Sequence, residues 1–151
     1  MDLNVIDMIV LILFQSALFA AAVMDIFWQQ VYDFLWLLTI PVLAGFTFAK
    51  GGYSAEALFS LALYFGVQEF IMKRAYGKAD CHALCCSALF FAYFGLELKA
   101  FVFHLAATFI LLATMQAFNK NISHELKLKK PVAMIPYILV GQWISFIALV
   151  Y

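Results

Sequence analysis

Asp25 in AAVMDIFWQQ, Asp33 in VYDFLWLL and Asp80 in KRAYGKADCHALCC interrupt an otherwise apolar chain at the edges of its hydrophobic runs. Two carboxyls brought close together cannot both ionise cheaply, so one keeps its proton while the other stays charged. Such a pair can take a proton from water and hand another to a carbonyl oxygen, which is the chemistry of aspartic hydrolysis. The pair titrates as a unit, so acid and base are not assigned to one residue each. Plainer readings stand beside this one. Asp80 can be an N-cap whose carboxylate accepts a backbone N–H, and Asp25 and Asp33 can be interfacial charges at helix ends.

The elements that must position these groups follow from composition. The chain has 151 residues, 67% of them hydrophobic and 12% charged. That apolar content is far above that of a soluble domain, and a globule of this size cannot hide it. The solvent implied is lipid. A net charge of zero gives no sign of a nucleic-acid partner. The opening MDLNVIDMIV has no Lys or Arg, so it reads as a retained membrane segment rather than a signal peptide.

Crossing the bilayer takes about 20 apolar residues. Six segments meet or approach that length: Val5–Met24, Phe34–Ala49, Ala55–Met72, Cys81–Leu96, Ala100–Phe118 and Val132–Tyr151. The expected fold is an all-α bundle of six transmembrane helices, forming one transmembrane domain over residues 1–151. Lys73, Arg74, Lys78, Lys120, Lys127, Lys129 and Lys130 fall on one side, and Lys50 and Lys99 on the other. Cations mark the cytoplasmic side, which sets both termini outside. Asp25 and Asp80 then share one depth at the cytoplasmic face, where ionisable groups turn toward the bundle interior or a wet cavity.

On this frame the residues resemble a family. Gly77-Lys78-Ala79-Asp80 resembles the GxGD signature of membrane aspartyl proteases, specifically the prepilin and preflagellin peptidases. Asp25 matches the family's first aspartate, with Val31-Tyr32-Asp33 at the spacing of its Ile-Pro-Asn-like step. Pro131-Val132-Ala133-Met134-Ile135-Pro136-Tyr137, followed by Gly141, is similar to its proline-rich entry to the last helix. The resemblance implies the short, peptidase-only form, with Asp25 and Asp80 as the catalytic dyad and Gly77, Lys78 and Ala79 as a mobile motif loop. Asp33, His82, Pro131 and Pro136 are candidates for a substrate groove, and no cofactor or metal is implied. The implied substrate is a pilin-like precursor with a basic leader and a hydrophobic helix, cut at the cytoplasmic face of a prokaryotic cell membrane. Ala79 replaces the motif's second glycine, and a left-handed backbone there would be strained. His82 stands where the family carries a basic residue two positions after the aspartate.

The remaining polar residues have structural readings first. Glu69 precedes Lys73 by four residues, a favourable helical pair. Cys81, Cys85 and Cys86 are expected as reduced, packed thiols rather than as zinc ligands with His82. His104 is expected to bond across helices, and Pro41 to bend its helix. Pro131 reads equally as a helix-start proline. Two other functions stay open: a catalytically silent homologue acting as a pilus or secretion assembly partner, and a small proton-coupled transporter. A transporter favours carboxylates near the midplane and inverted repeats, whereas these aspartates gather at one face.

Overall fold

The computed structural model describes residues 4–96, 98–123 and 133–150. All regular structure in them is helical: α1 (Val5–Trp28), α2 (Asp33–Lys50), α3 (Ala55–Gly66), α4 (Lys73–Tyr76), α5 (Lys78–Tyr93), α6 (Leu98–Ser123) and α7 (Ile135–Val150). A π-helical turn, Val67–Met72, joins α3 to α4. The segments Val5–Trp28, Asp33–Lys50, Ala55–Ala75 and Leu98–Phe118 are long and apolar enough to cross a membrane. The sequence suggests two more spans, but α5 and α7 have 16 residues each. They rise about 24 Å, short of a full hydrocarbon layer.

Burial explains why α5 can be short. Its CHALCCSALFFAY run is apolar or small on every side, the pattern of a helix enclosed by protein. Every residue from Ala83 to Tyr93 is buried, and α5 touches α1, α2, α3, α6 and α7. It also starts and ends three residues earlier than its sequence bounds, because Phe94 and Gly95 turn the chain. Around it, Phe14 of α1 stacks on Phe90 at 4.6 Å, and Phe146 of α7 meets Phe90 at 5.2 Å. Residues such as Val5, Phe27, Leu37 and Phe70 turn outward, each more than 70% exposed. Outward apolar side chains on apolar helices are what a lipid-facing surface requires.

One end of the bundle is tied by the carboxylate of Asp7. Asn4 caps α1 by accepting the Asp7 N–H at 2.8 Å, and Asp7 Oδ2 accepts the Asn4 N–H at 3.1 Å. This is a capping box. The other oxygen of Asp7 accepts Tyr93 O–H at 2.8 Å and Lys50 Nζ at 3.1 Å. The Lys50 ammonium also sits 4.1 Å from the Tyr93 ring centroid. Asp7 thus fastens the start of α1 to the ends of α2 and α5. Asp7→Asn keeps the shape but removes the charge facing Lys50, and is expected to cost about 1–2 kcal/mol, read from thermal unfolding in detergent.

Candidate active site

At the opposite end of the bundle lie the end of α1 and the starts of α2, α5 and α7. Asp25 occupies the last turn of α1, where its charge meets the negative end of that helix. The structure offsets this with the start of α7. Asp25 Oδ2 accepts the Ile135 N–H at 3.0 Å, and the Met134 amide is a second backbone donor. The carboxylate therefore sits on the positive end of α7, a natural anion site. Pro136 fits the same turn because its missing N–H would have no intrahelical acceptor there. Gln29 closes α1 in a left-handed conformation, donating its N–H to the Asp25 carbonyl at 3.1 Å.

Asp80 is the third residue of α5, and the helix N-cap is Gly77. The N-cap reading of Asp80 is thereby corrected: the carboxylate follows the cap by three positions and is half-buried. α5 packs against α1, whose last turn carries Asp25. The structure thus brings together the two carboxyls that the sequence singles out, at one end of the bundle.

Gly77 explains the glycine of the motif. Its backbone adopts φ 103°, ψ 157°, a conformation that side chains with a Cβ rarely take. A Cβ there would also lie 3.3 Å from Asp80 Oδ2. Ala79 lies inside α5, and Gln29 is the only residue other than glycine with positive φ among those described. The strain anticipated at Ala79 is absent because the demand for glycine falls two residues earlier. Gly77→Ala should cost about 1–3 kcal/mol, and Ala79→Gly less than about 1 kcal/mol. Thermal unfolding of the two variants checks the contrast.

Asp33 is the first residue of α2 rather than its cap; Tyr32 is the N-cap and makes no side-chain cap bond. Its carboxylate accepts Lys78 Nζ at 2.8 Å across to α5. Asp33, Lys78 and His82 line one cleft of about 570 Å³ with Trp36, Ile40 and Pro41. Two of the groove candidates, Asp33 and His82, therefore share a cleft, whereas Pro136 lies on the Asp25 side. Pro131 is outside the described residues.

Glu69 departs from its sequence reading. It pairs with His82, Oε1 to Nε2 at 3.2 Å, and not with Lys73. The reason is local: Glu69 lies in the π-helical turn, where i→i+5 bonding breaks the i, i+4 stacking that a Lys73 partner needs. Cys81, Cys85 and Cys86 are free and buried. Among the described residues no three His, Cys, Asp or Glu side chains converge as metal ligands.

A buried polar seam between α5, α6 and α7 also escapes the sequence reading, apart from His104. His104 Nε2 lies 3.0 Å from the Ile138 carbonyl, across helices as expected. Ser87 Oγ lies 3.0 Å from Gln142 Oε1 and 3.1 Å from the Ala83 carbonyl. A single hydroxyl proton serves one of these acceptors at a time. Ser87, Thr108 and Gln142 were legible only as polar residues inside apolar runs.

Comparison of the chain with protein-family models, curated proteins and solved structures finds no match.

Proposed function

We propose that this chain is a membrane-embedded aspartyl endopeptidase that removes the leader of pilin-like precursors. In this reading six helices span a prokaryotic cell membrane, both termini lie outside, and the aspartate pair faces the cytoplasm. The observation that carries it is that Asp25 and Asp80, from contacting helices distant in sequence, lie at the same end of the bundle, the end that holds the Gly77-Lys78-Ala79-Asp80 motif. One carboxyl is ionised and takes a proton from a shared water as that water attacks the scissile carbonyl. The other, protonated, donates its proton to the carbonyl oxygen, giving a gem-diol; its collapse breaks the C–N bond as the proton taken from water passes to the leaving amine. The α7 N–H groups hold Asp25 in place without occupying a side chain.

The depth of the site suits this substrate. A precursor with its hydrophobic helix in the bilayer and its basic leader in the cytosol has its scissile bond at the inner interface, where water reaches. The test is direct: the purified chain in lipid nanodiscs is incubated with a pilin-like precursor, and the products are weighed by mass spectrometry. A single cut immediately before the hydrophobic helix supports the reading. An intact precursor, across a panel of basic leaders, transfers the chain to the assembly-partner class.

A further inference from the structure

The turn that carries Asp80 is poorly held by its own helix. Its N-cap, Gly77, offers no side-chain acceptor to the first N–H groups. Uncapped ends fray first. What holds the turn must come from elsewhere. Two pairs across helices flank Asp80, from Lys78 to Asp33 and from His82 to Glu69. Residues 78 and 82 share one face of α5, and residue 80 projects to the other side.

Exposure separates the two pairs. The Lys78 and Asp33 side chains are 60% and 70% exposed, those of His82 and Glu69 only 15% and 32%. An exposed ion pair is screened by water and contributes little, whereas a hydrogen bond shielded from solvent, as between His82 and Glu69, meets less competition from water. The His82 ring is braced further by Trp36, a buried residue of α2 whose ring lies 6.2 Å away. Glu69 reaches His82 from the π-helical turn, and single π turns within helices often mark functional sites.

We propose that Glu69 and His82 are positioning residues: their contact holds the first turn of α5 so that Asp80 stays turned toward Asp25. The catalytic consequence rests on the peptidase reading, and the mechanical one does not. Two readouts on the same variants keep them apart. The first is hydrogen exchange by mass spectrometry in nanodiscs, at the amides of residues 81–84. These bond to the carbonyls of the first turn, as Cys81 N–H does to the Gly77 carbonyl at 3.3 Å. Glu69→Leu and His82→Leu should each speed that exchange about tenfold, while Glu69→Gln, which keeps an acceptor, stays within about twofold. Asp33→Asn, at the exposed pair, also stays within about twofold.

The second readout is precursor cleavage. Glu69→Leu should lower kcat about tenfold at unchanged KM, with kcat recovered in Glu69→Gln, the pattern of a lost transition-state arrangement. Unchanged exchange in both leucine variants overturns the proposal. Faster exchange in a chain that cleaves no precursor supports the positioning role and removes the peptidase reading.

Discussion

Asp25→Asn and Asp80→Asn should each leave the bundle folded and, on the peptidase reading, lower precursor cleavage by at least about a hundredfold. Each swap is isosteric and removes the one group able to gain or lose a proton. The amide introduced by Asp25→Asn keeps a side-chain oxygen for the Ile135 N–H, now held at 3.0 Å by Asp25. General acid–base catalysis by one positioned group contributes about 10²–10⁴ in rate, so each variant should fall by at least about a hundredfold. The double variant should be hardly worse than either single one, because residues that act as a unit are not additive. Cleavage is measured with a saturating precursor in nanodiscs, with thermal unfolding as the folding control. A single variant that retains more than about a tenth of the rate, well outside the range for a general acid or base, contradicts the dyad.

Gly141→Leu unfolds or severely destabilises the bundle. A Cβ at Gly141 would stand 2.6 Å from Thr108 Oγ1, 3.1 Å from the Thr108 nitrogen and 3.3 Å from its Cα. The hydroxyl can rotate away, but the α6 backbone behind it cannot, so α6 and α7 must separate. Close helix approach at small residues is a main source of association inside membranes. Overpacking a fitted core costs about 1–3 kcal/mol, and a clash with backbone belongs at or above the top of that range. Gly141→Ala should show a smaller loss, and Thr108→Ala should restore part of it by removing the nearest atom. Thermal unfolding of the three variants decides this. An unaltered midpoint in Gly141→Leu means the two helices are not packed as described.

The parts of the site that were legible follow from helix alternation. Once Asp25 ends one apolar run and Asp80 begins another, antiparallel packing puts both at the same end. The glycine requirement was legible as a motif but not as a position: only the backbone shows that it falls on Gly77 and not on residue 79. Lateral neighbours were not legible. Nothing in the order of residues says that Asp7 faces both Lys50 and Tyr93, since a hydrophobic run specifies a helix and not its partners. The π-helical turn was invisible for another reason. VQEFIM has no residue that forbids an α-helix, and the wider turn in which Glu69 meets His82 rather than Lys73 is seen only in the structure. Nor does the apolar run of α5 show that this helix is enclosed by protein, because a helix buried among protein neighbours reads like one buried in lipid.

Covalent joining of positions 25 and 80 shows whether the two carboxyls stand close enough to share a water. Cys81, Cys85 and Cys86 are replaced by alanine, and cysteines are placed at positions 25 and 80. The Asp33→Cys/Lys78→Cys pair, on the contacting helices α2 and α5 at the same end, serves as the positive control with the bifunctional reagent. A disulfide requires Cα atoms within about 7 Å, and short bifunctional thiosulfonates extend that reach by several ångströms. The cysteines at 25 and 80 should cross-link in membranes with a short reagent, at a rate comparable to the control. A control that closes while positions 25 and 80 stay separate would mean that the two carboxyls do not share a water, and the hydrolytic reading would fall.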